Sequence, residues 1–215
     1  MGQEEKTALL LALLEQDDLS TLVFTRTKRR ADRVAKALLR AGHKVAVIHA
    51  DRSQGQRRAA LEGFRSGEHR VLVATDIAAR GIDVAEIGHV VNFDLPHVPA
   101  DYVHRIGRTA RMEASGRASS FASPEEHELL RGIEKFTRKA VERAAVPREH
   151  DAFRSEVKRV ADLPPAARHP HQQHRRQSPR QGQAQSHSGR QHPAQSQQAK
   201  QPGTKVGTWR PRRRR

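Results

Sequence analysis

The sequence predicts an α/β fold in which a parallel β-sheet is covered by helices on both faces. Two observations lead to this prediction. Strand-like and helix-like segments alternate over the first two thirds of the chain. The strand-like segments are continuously apolar, which is typical of parallel strands buried on both faces. Because such sheets bind ligands at the carboxyl ends of their strands, functional residues are expected in the loops that follow the strands.

The first four elements are predicted within the first 50 residues. Residues 4–16 carry a leucine face and predict a helix. Residues 21–24 form a short apolar run and predict a buried strand. Residues 29–40 place apolar side chains at helical spacing, and Gly42 supplies the helix stop. Residues 45–48 predict the second strand.

The next elements repeat the alternation. Ser53 can cap a helix that ends at Gly67. Residues 71–74 are apolar and predict the third strand, and residues 89–93, which are apolar at three of five positions, predict the fourth. A short helix is expected at residues 100–106, between the fourth strand and the fifth.

The folded part of the chain ends in a strand and a capped helix. Residues 118–121 predict the fifth strand. Ser123 and Glu126 have the spacing of a capping box, with Pro124 at the first helical position. These residues predict a helix that extends to about Arg138.

Charge and composition change sharply toward the C-terminus. The chain has a net charge of +16, and residues 161–215 contribute +11 of it, with Asp162 as their one acid. Only 35% of all residues are hydrophobic, which predicts that part of the chain does not fold. We expect a folded domain at residues 1–145, a short helical extension or linker at 146–163, and a disordered basic tail rich in Gln, His and Arg at 164–215.

The basic tail and the residue composition limit the classes of function. A polycation favours RNA, DNA or an anionic membrane surface, although the tail could also act only as a solubilising appendage. The absence of cysteine excludes disulfides and thiolate-bound zinc and is compatible with the cytoplasm, where we expect the protein. No apolar run is long enough to span a bilayer. We expect no membrane partner. His169, His171 and His174 could bind a metal, but we interpret them as scattered histidines of a disordered tract and expect no metal site.

A first candidate functional segment follows the third strand. Residues 73–84 read V-A-T-D-I-A-A-R-G-I-D-V, so the strand ends in Thr-Asp and is followed by Arg, Gly and Asp. A loop at this place can offer hydroxyl and backbone N–H groups to phosphates. The alternative is an ordinary strand-to-helix turn with a solvated salt bridge.

A second candidate segment covers residues 102–111, which read Y-V-H-R-I-G-R-T-A-R. Arg105, Arg108 and Arg111 recur every three residues, so a helical turn would align them on one side. The planar guanidinium suits phosphate because it donates two parallel hydrogen bonds and stays charged. The alternative is a solvated basic helix.

Taken together, these two segments resemble motifs V and VI of the DEAD-box RNA helicases. Further matches follow in the family's order. Residues 23–28, V-F-T-R-T-K, resemble motif IV, and residues 54–57, Q-G-Q-R, resemble the Q-x-x-R motif. Residues 92–96, N-F-D-L-P, resemble the family's N-Y-D-L-P. The resemblance covers residues 18–137 and implies a RecA-like second lobe of such a helicase.

The resemblance also implies a role for each matching residue. Arg108 and Arg111 would be catalytic arginine fingers that reach ATP, and Asp83 and Gly81 would contact the nucleotide. His104 and Arg105 would couple this lobe to the facing lobe. A track for the RNA backbone would be formed by Thr25, Thr27, Gln54, Arg57, Thr75, Asp76 and Arg80.

Departures from the family pattern qualify these expectations. His49-Ala50-Asp51 stands where the family has H-G-D, so the backbone there must accept a Cβ. The sequence contains no G-x-x-x-x-G-K-S/T loop and no Asp-Glu-Ala-Asp. We therefore expect ATP with Mg²⁺ to be held mainly by an N-terminal lobe, supplied in cis or in trans. The oligomeric state is left open.

Two further interpretations stay open at the level of the sequence. The chain could be a non-catalytic RNA-binding fragment, with affinity for RNA but no ATPase activity of its own. It could also be a lobe of a DNA helicase of the same superfamily. Competition between RNA and DNA strands distinguishes the RNA interpretations from the DNA interpretation.

Overall fold

The computed structural model describes residues 1–79, 87–109 and 116–164. None of the helices in these ranges is long and apolar enough to cross a membrane. The strands are β1 (Thr21–Thr25), β2 (Val45–Ile48), β3 (Val71–Thr75), β4 (His89–Asn92) and β5 (Arg117–Ser120). The helices are α1 (Glu5–Leu14), α2 (Lys28–Arg40), α3 (Gln54–Arg65), α4 (Asp76–Ala79), α5 (Pro99–Ile106), α6 (His127–Thr137) and α7 (Asp151–Ala161), with a 3₁₀ turn at Pro124–Glu126 before α6.

The described strands form one parallel sheet with the order β2-β3-β1-β4-β5. This confirms the predicted α/β class and the five predicted strands to within one or two residues. The strand order changes direction at β1: β2 and β3 lie on one side of it, and β4 and β5 lie on the other. Such a switch point opens a crevice at the carboxyl edge of the sheet, where ligands bind in this class of fold.

Successive residues of the central strands point into two separate apolar cores. Val23 and Val73 pack into one core together with α1 and α2. Leu22 and Leu72 pack into the other, where Phe64 of α3 covers them. All four strand residues are fully buried. The continuous apolar character of the strands therefore has the predicted cause, which is that helices cover both faces of the sheet.

The boundaries of the helices follow from local sequence signals. The hydroxyl of Ser53 accepts from the backbone N–H of Gln56, whose side chain accepts from the Ser53 N–H, so α3 begins with a complete capping box. Gly42 and Gly67 have φ values of +87° and +77°, the left-handed conformation in which glycine ends a helix at little cost. Ala50 is not among the described residues with positive φ, so its Cβ is accepted without backbone strain.

Helix α7 packs on the folded domain instead of extending away from it. Its Phe153 is buried in the same core as Leu11 of α1. The carboxylate of Glu156, also buried, accepts from Arg159 of the same helix and lies 3.4 Å from an Arg40 nitrogen of α2. The segment predicted as an extension or linker thus contains a helix that covers α1.

His89 is a buried histidine at the start of β4. Its Nδ1 lies 3.2 Å from an Arg117 nitrogen, and because a guanidinium can only donate, Nδ1 accepts. Its Nε2 then carries the proton and donates to the Ser119 hydroxyl at 2.9 Å. Burial, reinforced by the positive charge of Arg117, lowers the pKa of His89 from 6.5 to about 4. The folded domain therefore holds this imidazole neutral.

We predict that His89 makes the domain less stable in mild acid. The pKa of His89 is 6.5 in the unfolded state and about 4 in the folded state, so only the unfolded state binds a proton between these values. His89 therefore makes its full contribution to the free energy of unfolding above pH 6.5. It is lost as the pH falls toward 4, and amounts to at most about 3 kcal/mol. Urea unfolding at pH 7.5 and at 4.5 should show a smaller loss of stability for His89→Gln than for the parent chain. Equal losses in the two proteins would contradict the assignment.

Candidate functional site

Three adjacent strands bring the predicted RNA-track residues to one edge of the sheet. Thr25 ends β1 and Thr75 ends β3, and the two residues are paired in register across the parallel strands. Helix α3, which begins at Gln54, follows β2 on the other side of β3. The track candidates on β1, β3 and α3 therefore lie along the carboxyl edge, as expected for a sheet of this kind.

The threonines of this edge differ in their exposure. Thr25 is buried, and its hydroxyl donates to the carbonyl of Thr27 at 3.4 Å. Thr27 is exposed and caps α2, because its hydroxyl accepts from the backbone N–H of Arg30 at 3.2 Å. Thr75 is half-buried. Thr25 thus shapes the loop that presents Thr27, and the backbone of this loop is what a ligand at the edge would meet.

Helix α3 contributes a polar face to the same edge. Gln54 is exposed in the first turn of the helix. Arg57 is half-buried and donates to the carbonyl of Ala78 in α4 at 3.3 Å, which fixes α3 to the segment after β3. An open depression of about 700 Å³ runs along α3 and is lined by Gln54, Arg57, Arg58 and Leu61, among others. Its lining therefore combines two cations with one acid, Glu62, and with apolar groups.

Arg105 of α5 is the central polar contact behind this edge. Its guanidinium donates two parallel hydrogen bonds to Asp76, from Nε at 2.6 Å and from Nη2 at 2.7 Å. Its Nη1 donates to the side-chain oxygen of Asn92 at 2.9 Å and to the carbonyl of Asp94 at 2.7 Å. The guanidinium carbon lies 4.9 Å from the centre of the Phe24 ring. One side chain therefore joins α5 to the ends of β1, β3 and β4.

These contacts correct the expected placement of the arginines. The sequence suggested a helical row of Arg105, Arg108 and Arg111, but α5 ends at Ile106, before Arg108. Arg105 is only 2% exposed and points into the domain, whereas Arg108 is half-buried in the turn that follows. The pair of Arg105 with Asp76 joins a buried guanidinium to a carboxylate that is 30% exposed, so it is a partly buried salt bridge and not the fully solvated one of the alternative for the first segment. His104, by contrast, is exposed.

A second charged network was missed by the sequence reasoning. Lys6 is fully buried, and its ammonium group donates to the carbonyl of Phe93 at 3.0 Å and to Glu126. Glu126 also accepts from Arg26 at 3.0 Å, in the loop between Thr25 and Thr27. Asp94, fully buried as well, accepts from the backbone N–H of Arg26 at 2.9 Å. The network thus holds the loop that carries Thr25 and Thr27 in place.

In the sequence, the only sign of this network was Lys6, a single charge next to the apolar run of the first helix. Lys6 stands at the start of the leucine-rich helix, where an exposed lysine would have been unremarkable. Burial lowers the pKa of Lys6, and the partly compensating hydrogen bond and charge of Glu126 act in the opposite direction. The capping box of Ser123 and Glu126 was predicted correctly, but its carboxylate serves two tertiary partners that no local pattern reveals.

Several predicted site residues lie outside the described part of the chain. They are Arg80, Gly81, Asp83 and Arg111. At the border of these segments, Thr109 is buried and its hydroxyl donates to the carbonyl of Ile87. This bond ties the residue next to Arg108 to the chain entering β4, so the position of Arg108 is anchored from both sides by Arg105 and Thr109.

Comparison with known proteins agrees with this geometry. Residues 5–113 match the helicase conserved C-terminal domain family. The DEAD-box ATP-dependent RNA helicase CshA of Bacillus licheniformis is 41% identical over 161 residues, which make up 74% of this chain and 33% of CshA. The E. coli DEAD-box protein SrmB, solved bound to the regulator of ribonuclease activity RraA, is 38% identical with a TM-score of 0.64, covering 67% of this chain and 86% of that one. S. cerevisiae Dbp5, solved bound to RNA and ADP BeF3, is 31% identical with a TM-score of 0.63, covering 73% and 42%.

The chain therefore belongs to the helicase conserved C-terminal domain family, as the C-terminal RecA-like domain of a DEAD-box RNA helicase. The chain spans about a third of the length of the curated relatives that it matches.

We predict that the bond between Asp76 and Arg105 stabilises the domain more than a surface salt bridge does. Asp76→Asn leaves a buried guanidinium facing an uncharged amide, which should lower the free energy of unfolding by about 3 kcal/mol, the low end for a broken buried pair because Asp76 is 30% exposed. The matched control is Asp51→Asn, which breaks the half-exposed pair with Lys28 and should lower the free energy of unfolding much less, because solvent screens an exposed pair. Urea unfolding measures both values, and similar losses would contradict the prediction.

Proposed function

We propose that this domain supplies arginine fingers for ATP hydrolysis and part of a sequence-independent RNA-binding track in an ATP-dependent RNA helicase. The observation that carries the proposal is the position of Arg105. On one side of it lie the track candidates at the ends of β1 and β3 and the start of α3. On the other side lies the turn with Arg108, which follows α5 directly. A single buried guanidinium therefore stands between the proposed RNA contacts and the proposed nucleotide contacts.

The proposed RNA track suits a phosphate backbone better than it suits bases. Its candidates are hydroxyls, an amide, a carboxylate and cations. Those in the described part of the chain lie along one sheet edge, namely Thr25, Thr27, Gln54, Arg57, Thr75 and Asp76. The candidate Arg80 lies outside that part. Contacts of this type hold a strand in register without reading its sequence. Only 4% of the chain is aromatic, so stacking on bases is not expected to dominate. Since both oxygens of Asp76 accept from Arg105, Asp76 would act chiefly by holding the edge in shape.

The proposed nucleotide contacts are Arg108, Arg111, Gly81 and Asp83. ATP with Mg²⁺, held mainly by an N-terminal lobe, would supply the phosphoryl group that is transferred to water. Arg108 and Arg111 would neutralise the negative charge that the terminal phosphate carries in the transition state, an effect worth about 10³–10⁵ in rate in other nucleotide hydrolases. Asp83 would accept a hydrogen bond from the ribose, and Gly81 would let the backbone approach the nucleotide closely.

Arg105 and His104 are proposed to couple the two halves of the site in different ways. Arg105 would act from inside the domain. A shift of Asp76 on the RNA side would move the Arg105 side chain that is bound to it. The backbone carbonyl of Arg105 accepts from the Arg108 N–H at 3.1 Å, so the movement would reach Arg108. His104 is 73% exposed and would face the other lobe directly. RNA binding and finger position are in this way mechanically linked.

The runner-up is a non-catalytic RNA-binding function for the chain by itself. It is favoured by the sequence, which carries cations in its C-terminal tail but no phosphate-binding loop of the P-loop type. In that case lobe and tail would bind RNA without turnover of ATP. The purified chain alone should then bind RNA and show no RNA-stimulated ATPase activity.

We predict that Arg111 is essential when a lobe carrying a P-loop is joined ahead of Met1 or added in trans. RNA-stimulated ATP hydrolysis should appear in the pair, and Arg111→Ala should lower kcat by about 10² or more because the transition-state charge loses its partner. Arg108→Ala should act in the same direction. Arg111→Lys should restore little activity, since an ammonium cannot reproduce the planar fork.

The matched control for these variants is Arg131→Ala on α6, which removes an exposed arginine paired only with the neighbouring Glu128 among the described residues. It should leave kcat unchanged. RNA affinity of the Arg111→Ala chain should also be unchanged if the proposed fingers act on the nucleotide and not on the RNA. A preserved kcat in Arg111→Ala would show that these arginines form only a basic surface.

We predict that the tail supplies most of the RNA affinity of the isolated chain, without base preference. Residues 165–215 hold twelve Lys and Arg and no acid. Each phosphate contact adds roughly 0.7 to the slope of log affinity against log salt for a single strand. Removing residues 165–215, which leaves α7 intact, should flatten this slope and weaken binding to poly(U) and mixed-sequence RNA alike.

The outcome of the deletion is read from titrations at several salt concentrations. An unchanged slope would contradict the proposed role and leave the tail as a solubilising appendage. A loss of affinity for one sequence only would also contradict it, because contacts with phosphates carry no base preference.

A further inference from the structure

The outer face of α2 carries a continuous row of cations. Arg29, Arg33, Lys36 and Arg40 are all exposed and are spaced by four, three and four residues. This spacing places them on one side of the helix. The opposite side, with Val34 among others, is buried in the core. We call these four residues the α2 stripe.

The α2 stripe is electrostatically unfavourable for the helix itself. Like charges three or four residues apart repel one another. The first turn of α2 contains no acid, although the positive end of the helix dipole favours acids there. None of the four cations is needed for packing, because they lie on the side of α2 that faces away from the core. The arrangement becomes favourable when an anion lies along the helix.

The domain neutralises only part of this charge. Asp32 is the one acid of α2, and its carboxylate is already shared by His49 at 3.0 Å and Arg52 at 2.8 Å. Arg40 lies 3.4 Å from Glu156 of α7. Within the three described ranges, no carboxylate forms a salt bridge with Arg33 or Lys36. The centre of the stripe is therefore the part that an external anion would neutralise.

The geometry points to the phosphate backbone of RNA as that anion, so that the α2 stripe extends the RNA track along the side of the domain. Helix α2 begins directly after Thr27, which belongs to the proposed track. From Thr27 to Arg40 the helix rises by about 20 Å, and the cations are spaced at about 5 Å along its axis. Because Thr27 is the N-cap of α2, a strand that leaves the track there reaches the first turn of the helix that carries the stripe. This inference rests on the proposed function in RNA binding.

An acidic protein surface is the less favoured occupant. Protein interfaces are built around an apolar centre that is depleted of charge. On α2 the one large apolar side chain that is exposed is Leu39. A row of cations with a single leucine suits a flexible polyanion, whose phosphates need charge and no apolar contact.

The experiment is a lysine-acylation footprint of the full chain, with and without RNA. Lys36 reports on the stripe, and Lys135, an exposed lysine of α6, is the matched control. Poly(U) of about 20 nucleotides should slow acylation of Lys36 several-fold and leave Lys135 unchanged. Poly(U) of about 5 nucleotides, enough to fill the track alone, should protect Lys36 much less.

A pair of double variants tests the same surface through affinity. Arg33→Gln with Lys36→Gln should reduce the salt slope for the long RNA by roughly 0.7 for each phosphate that the helix no longer neutralises. Arg131→Gln with Lys135→Gln removes the same charge from α6 and should change the slope by less. Circular dichroism of both variants checks that the helices are intact.

The results separate the stripe from the track. Equal acylation of Lys36 with and without long RNA, or equal slopes in the two double variants, overturns the stripe. Protection of Lys36 by poly-glutamate but not by RNA also overturns it and indicates an acidic protein partner. The proposed track is tested separately by Gln54→Ala, which should weaken binding of the short RNA. If that variant binds normally, the track fails, and the Lys36 result still decides the stripe.

Discussion

The arrangement of the carboxyl edge depends on a single buried guanidinium, that of Arg105. A charge removed from water is costly unless its donors are satisfied, and here four hydrogen bonds to Asp76, Asn92 and Asp94 provide that compensation. These partners come from different strands and loops. The bonds can therefore form together only when β3, β4 and α5 are in their native positions. Arg105 thus stabilises this one arrangement of the three elements and disfavours others.

A second buried charge performs a similar task for the loop between β1 and α2. Lys6 has no access to water and is held by Glu126 and the carbonyl of Phe93. Glu126 also accepts from Arg26, so Glu126 connects α1 with the loop that carries Thr27. Networks of this type are favourable only when each member is paired. The loop between β1 and α2 is consequently held by several side chains at once, from the residues after β4, from the turn before α6 and, through Glu126, from α1.

The distribution of charge on the surface complements these buried networks. Inside the domain, cations and carboxylates are matched closely, as for Arg30 with Asp94. On the outer face of α2 and in the C-terminal sequence, cations exceed acids by far. Paired charges inside the domain fix its geometry. Excess cations on the surface can attract polyanions, and because they lie outside the core they do not disturb its packing. Such affinity decreases with salt, because it depends on the release of counterions from the nucleic acid.

The sequence by itself determined the class of fold, the five strands and most of the helices with their approximate boundaries, although it did not predict the short helix α4. Apolar runs, helical spacing, the glycine stops at Gly42 and Gly67 and the Ser53 cap are local signals, and each acts within a few residues. The ordered motifs also identified the family. Only the tertiary structure decided that Arg105 is buried while His104 is exposed, and that Lys6 serves Glu126 across 120 positions of sequence. The physical reason is that the burial of a charge depends on partners brought together by the sheet, and the spacing of residues along one helix carries no information about them.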